Sequence, residues 1–114
     1  RFSMQQDDRI RLNHMLDACH AATAFLSDRK RNDLEEDLLL VFGLVRAIEV
    51  VGEAASKVSE QTREQYPQVP WNQIVGMRNR LIHAYFDVDT GILWNTATSA
   101  VPALAKQLEE ILGD

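Results

Sequence analysis

Two apolar rows run side by side between Leu38 and Val58. Leu38, Val41, Val45, Ile48, Gly52 and Ala55 form one, and Leu40, Leu44, Ala47, Val51, Ala54 and Val58 form the other. Steps of three and four residues set each row along one line of an α-helix. The rows are displaced by one position, about 100° around the helix, so their combined arc is wider than one neighbouring helix covers. Such a helix is either the centre of a bundle, packed on two sides, or it offers one row to a second subunit.

The rest of the chain reads as helices arranged around this one. Leu12, Met15, Leu16, Cys19, Thr23 and Leu26 recur at helical spacing and predict a first helix from about Asp7 to Ser27, with Asp7 and Asp8 at the positive end of its dipole. The polar run from Asp28 to Asn32 interrupts the pattern. Asn32 followed by Glu35 resembles a capping pair, which predicts one long second helix from there to about Tyr66. Pro67 and Pro70 enforce a turn, because each lacks a backbone donor and restricts the residue before it. Ile74, Met77, Leu81 and Ile82 then mark a shorter helix beginning near Pro70 or Trp71 and ending near residues 83–86. Asp89 is positioned to cap a last helix, carried by Leu93, Ala97, Ala100, Val101, Leu104, Leu108 and Ile111 and kinked at Pro102. No strand pattern competes. The expected fold is an all-α antiparallel helical bundle of three main helices plus one short one.

Composition bounds the function. A chain of 114 residues, 46% hydrophobic and 25% charged, has the size and apolar content of one compact domain, expected over 4–114. Arg1-Phe2-Ser3 ahead of Met4 reads as an expression scar. The single Cys19 leaves no intramolecular disulfide framework and suits a reducing, cytoplasmic setting; on its apolar row it reads as a core residue. Neither a membrane-length apolar run nor a signal-peptide pattern is visible, so a soluble protein with no membrane partner is expected. Seventeen acidic against twelve basic residues give a net charge of -5, which disfavours indiscriminate nucleic-acid binding and requires a local basic patch for any specific kind.

That patch is Met77-Arg78-Asn79-Arg80-Leu81-Ile82-His83-Ala84-Tyr85, with two guanidinium groups, an amide, an imidazole and a phenol in one short segment. In a continuous helix Asn79 and His83 share a face, so the amide orients the ring. Arg78 and His83 are about 140° apart, so bringing them together takes a frayed helix end, the reach of arginine, or a second copy of the segment across a dimer axis. If they meet at a phosphodiester, histidine exchanges protons with an RNA 2′-hydroxyl or a leaving 5′-oxygen, and arginine offers a two-pronged contact to phosphate. RNA supplies its own nucleophile, so the scheme calls for no cofactor. No cluster with metal-ligand spacing is visible in the sequence. Against this stands a plainer reading: Arg78 and Arg80 make surface ion pairs, His83 satisfies a helix end, and Tyr85 packs on the next helix.

Pro70-Trp71, the run from Gly76 to Asp89 and the upstream Ile48-Glu49-Val50-Val51-Gly52-Glu53-Ala54 together resemble the HepT branch of the HEPN domain family over most of the chain. The family motif is an arginine, four to six residues, a histidine and, in this branch, a tyrosine two further on; it falls on Arg78, His83 and Tyr85. The resemblance implies a metal-independent endoribonuclease toxin, with Arg78 and His83 catalytic and the motifs of a homodimer meeting in one cleft. It also implies a minimal nucleotidyltransferase antitoxin that attaches AMP to Tyr85, adding bulk and negative charge where RNA phosphate binds. Asn79 and Arg80 would position RNA or the ring. Glu53, in the region that supplies polar residues near the cleft, either orients Arg78 or Arg80 through an ion pair or belongs to a solvated face. Arg46, Lys57 and Arg63 either add positive potential around the cleft or only solvate the surface. His14 and His20 read as ordinary surface residues. Two other classes compete: a non-catalytic nucleotide-binding or partner-binding module working with the nucleotidyltransferase, and a purely structural helical dimer.

Overall fold

The computed structural model describes residues 1–84 and 87–113, the side chains at positions 83 and 84 excepted. Its elements in chain order are α1 (Gln6–Phe25), α2 (Asp33–Glu36), α3 (Leu38–Ser56), α4 (Glu60–Gln65), α5 (Trp71–Val75), α6 (Met77–Leu81), strands β1 (Ile82–Ala84) and β2 (Asp87–Val88), α7 (Thr90–Asn95), a π-helical turn (Thr96–Ala100) and α8 (Val101–Leu112). The fold is all-α apart from the small hairpin. Helix α1 lies against both α3 and α8, and the other side of α3 receives α5, α6 and α7. None of the described helices is long and apolar enough to cross a membrane.

Both rows of α3 are buried within this one chain, Leu38 excepted and Gly52 half-buried. The two-sided bundle centre is therefore the correct reading, and neither row is left for a second subunit. The reason is that α5 and α6 pack on α3 on the side away from α1. A Cβ on Gly52 would stand 3.2 Å from the carbonyl oxygen of Ile74, so this glycine lets α5 approach the α3 backbone. The apolar surface that α3 leaves exposed is at its start: Leu38 (64% exposed), the first member of its row, with Leu39 (83%) and Phe42 (58%) outside both rows and Phe25 beside them.

The long second helix expected over residues 32–66 is three helices. Asp37 leaves helical geometry (φ -113°, ψ 91°) and accepts the N–H of Leu40, capping α3; Asn32 makes no side-chain cap. Arg29 donates to Asp37 at 2.6 Å and to Asp33 at 3.2 Å, fixing the break, and its guanidinium followed by the Leu40 N–H holds the Asp37 carboxyl below the ordinary range. The second break is at Ser59, which caps α4 by accepting the N–H of Thr62. Here Asp8, 3% exposed, receives the backbone N–H and hydroxyl of Ser59 at 2.9 and 2.5 Å and the hydroxyl of Thr62 at 2.6 Å. Asp8 therefore ties the start of α1 to the start of α4 as well as standing near a helix dipole. Burial pushes its carboxyl pKa up, but the Ser59 and Thr62 hydrogen bonds outweigh burial and leave it lowered.

Two further expectations hold. Cys19 is buried in the core, where loss of solvent pushes its thiol up to about 12. Asp89 caps α7 through the N–H of Ile92. The last helix ends at Leu112 with Gly113 in the left-handed conformation (φ 80°). Near Pro102, where the sequence predicts a kink, the structure shows a π-helical turn (Thr96–Ala100) ahead of α8, with the proline, which lacks an N–H, in the first turn of α8.

Candidate functional site

The segment carrying the motif is more broken than its periodicity suggests. Gly76 separates α5 from α6, and the helix stops at Leu81, where Ile82 turns to extended geometry (φ -114°, ψ 110°). The backbone of His83 lies in β1, which pairs antiparallel with β2, Ile82 opposite Val88 and Ala84 opposite Asp87. Two β-branched residues, Ile82 and Val88, flank this short pairing and are half-buried against the core. The Asp89 N–H donates to the Leu81 carbonyl at 2.7 Å and closes the hairpin onto the end of α6. A regular helix therefore does not join Asn79 to His83, and the 140° separation of Arg78 from His83 does not apply. The chain leaves the helix between them. The His83 side chain and all of Tyr85 lie outside the described residues.

Helix α6 buries Met77 and Leu81, which sets the direction of everything else on it. At about 100° per residue, Arg78 falls on one flank, Asn79 on the crown and Arg80 on the other flank. All three are exposed. Arg78 turns to α3, where its Nε donates to Oε2 of Glu49. No other hydrogen bond or ion pair holds Arg78 among the described residues, and its side chain is half exposed, so with respect to them its Nη edge is open. Arg80 has no acidic partner among them and faces α8 across a groove.

Glu53 does not meet either motif arginine. It accepts Arg46 Nη1 at 3.3 Å, and Glu49 stands 4.0 Å from the same guanidinium. The carboxylate that holds Arg78 is thus Glu49, one turn earlier in α3 and only 21% exposed, against 52% for Arg78. Arg46, Glu49 and Glu53 sit at steps of three and four on one helix face, a pattern that marks a charged face but does not say which member α6 will reach. Arg63 is committed elsewhere: it donates to the carbonyls of Ala55 (2.7 Å), in the last turn of α3, and Val58 (3.2 Å), just past it, and lies over the Trp71 ring. Lys57 is exposed at the end of α3, and His14 and His20 are surface residues, His20 standing 3.9 Å from Glu109. Among the described residues no three His, Cys, Asp or Glu side chains are grouped to hold a metal ion.

Chemically, the arrangement is an arginine steadied through Nε with its outer edge open, an amide and a second arginine beside it, and a histidine five residues on at the start of a hairpin. An arginine oriented in this way is prepared for a two-pronged contact with an anion such as a phosphate.

Comparison with known proteins bears on the chain as a whole. The family model described as "Ribonuclease HepT-like" matches residues 15–111. The chain is 38% identical over 101 residues to "Putative RNase TTE0752" of Caldanaerobacter subterraneus subsp. tengcongensis, covering 89% of this chain and 90% of that protein. It is 32% identical over 105 residues to "Putative RNase MJ1380" of Methanocaldococcus jannaschii, covering 92% and 96%. It is 34% identical over 87 residues to "Probable ribonuclease HepT" of Thermococcus cleftensis, covering 76% and 71%. No solved structure matches the chain.

Proposed function

Since the chain belongs to the HepT-like ribonuclease family, we propose that it is a metal-independent endoribonuclease in which Arg78 and His83 act on one phosphodiester. The observation that carries this reading is the open Nη edge of Arg78, held in place by Glu49 on the exposed flank of α6. Arg78 binds the scissile phosphate and stabilises the negative charge that builds on it as the 2′-hydroxyl attacks. His83 exchanges the proton of that hydroxyl or of the leaving 5′-oxygen. The chain leaves α6 at Leu81, ahead of His83, so the angular separation that a continuous helix would impose between Arg78 and His83 is no objection to this reading.

The same reading takes the protein as a homodimer and as the toxin of a pair whose nucleotidyltransferase antitoxin adenylylates Tyr85. Support for dimerisation lies on α3. Leu39 and Phe42 are exposed on the face that continues through Arg46, Glu49 and Glu53, and Phe42 and Glu49 are about 10 Å apart along the axis. A second copy seated on Leu39 and Phe42 therefore lies close to Arg78 and brings the two motifs towards one cleft.

The test is RNA cleavage by wild type and by His83→Ala of unchanged fold. Cutting should persist in EDTA, leave a 2′,3′-cyclic phosphate, depend on His83, and stop at a 2′-deoxy substitution in the scissile nucleotide. Cleavage that His83→Ala leaves intact, or that only a divalent ion restores, would remove the mechanism. Adenylylation is read separately, by mass spectrometry after incubation with a neighbouring nucleotidyltransferase and ATP, with Tyr85→Phe expected to escape.

A further inference from the structure

The flank of α6 opposite Arg78 borders a groove that the cleavage chemistry does not use. Arg80 stands at its rim, Ile74, Met77 and Leu104 supply apolar walls, and Gln73 and Gln107 add amides. The volume is about 290 Å³, at the low end for a ligand pocket and suited to one flat ring system rather than a whole nucleotide. Gln107 is fixed by donating its amide to the backbone carbonyl of Gln68 at 3.0 Å. Three other grooves carry carboxylates in their walls: Glu60 and Glu64, Asp17, or Asp37. This one has none, although the chain is acidic overall, and the cation at its edge has no acidic partner among the described residues.

We infer that this groove between α5, α6 and α8 is a base-recognition subsite, taking one nucleobase of the single-stranded RNA whose phosphate lies at Arg78. The inference rests on the ribonuclease reading. A base is an apolar plate with a hydrogen-bonding edge, and the groove matches it with apolar walls, amide donors and acceptors, and a guanidinium able to stack or to contact the adjoining phosphate. Arg78, Asn79 and Arg80 span the outer face of α6, so a strand crossing that face meets the phosphate contact on one flank and the base groove on the other. Sequence preference is then set by Gln73, Gln107 and Arg80, apart from the residues that cut.

Ala103, exposed on the α8 side of the groove, gives the test. Ala103→Trp fills the groove from outside and leaves Arg78 and His83 untouched; Gln73→Ala, also at an exposed position, is a milder second variant. Each is compared with wild type by sequencing the cut sites in a randomised RNA pool, and by titrating a fluorescent single-stranded RNA into the same substitutions made on a His83→Ala background. Wild type should prefer one base at one position near the cut. Ala103→Trp should flatten that preference and weaken binding by about tenfold while cutting continues. Gln73→Ala should change the preferred base with a smaller loss. If both variants keep the wild-type preference and affinity, the subsite is wrong and the ribonuclease reading survives. If wild type neither cuts nor binds RNA, the ribonuclease reading fails and the subsite fails with it.

Discussion

Asp8 and Glu49 are both carboxylates that join two helices, and they are built for opposite ends. Asp8 is sealed at 3% exposure, with both its oxygens accepting hydrogen bonds from Ser59 and Thr62. Glu49 holds Arg78 by Nε alone and leaves the guanidinium half exposed. A closed polar cluster in the interior contributes stability and has nothing left to offer a ligand. An open pair at the surface contributes little stability, because water and salt screen it, but it fixes the direction of a charge whose remaining donors are free. Mutations at the two places should therefore separate folding from activity.

The largest effect is expected at the open pair. Arg78→Ala should lower RNA cleavage by about a thousandfold, the scale of removing a principal donor to a developing oxyanion, with thermal stability nearly unchanged. Arg78→Lys should recover only a small part, since an ammonium cannot supply two parallel contacts after one is given to Glu49. A large fall in melting temperature in either variant would erase the contrast.

Asp8→Ala should do the reverse. Leaving Ser59 and Thr62 without their acceptor should cost about 1–3 kcal/mol in denaturant unfolding, while the folded fraction keeps its specific activity. Glu49→Gln comes next: by releasing Arg78 without removing it, the change should reduce cleavage about tenfold and raise its salt sensitivity, with stability altered by less than about 1 kcal/mol.

Acid pH should expose the difference again, more gently. The Asp8 pKa lies below the ordinary carboxylate value of 3.8 in the folded protein, so the unfolded chain takes up the proton first as pH falls. The stabilisation is fully present above about pH 4 to 5 and is lost as pH drops through the folded-state value. Urea midpoints should decline over that range in wild type and decline less in Asp8→Asn. The smallest effect belongs to the Arg46–Glu53 pair, exposed at both ends: Glu53→Gln should move stability by no more than about 0.5 kcal/mol and cleavage by less than twofold.

The sequence alone determined the helical class, the two apolar rows of α3, the Asp89 cap and the core position of Cys19, and it singled out the segment for which a phosphate contact is proposed. These are encoded within a turn or two of chain, where spacing and side-chain chemistry act directly. The breaks at Asp37 and Ser59 left weaker signals. Aspartate ahead of Leu38-Leu39-Leu40 is a cap pattern, but its choice over Asn32 depends on Arg29, and the Ser59 break depends on Asp8, about fifty residues away. Local periodicity also could not stop the motif helix at Leu81, since the hairpin that ends it takes its partner strand from residues beyond the helix.

Only the tertiary structure decided that both α3 rows past Leu38 are filled from within one chain, that the apolar surface α3 leaves exposed is Leu38, Leu39 and Phe42, and that Glu49 rather than Glu53 holds Arg78. The last choice shows the physical reason most simply. Glu49 and Glu53 share a helix face and a chemistry, and differ by about 6 Å of rise along α3. Which one an arginine reaches is set by how far along α3 the second helix docks, and that distance is fixed by the close approach of α5 at Gly52, a contact between segments that no periodicity in either one contains.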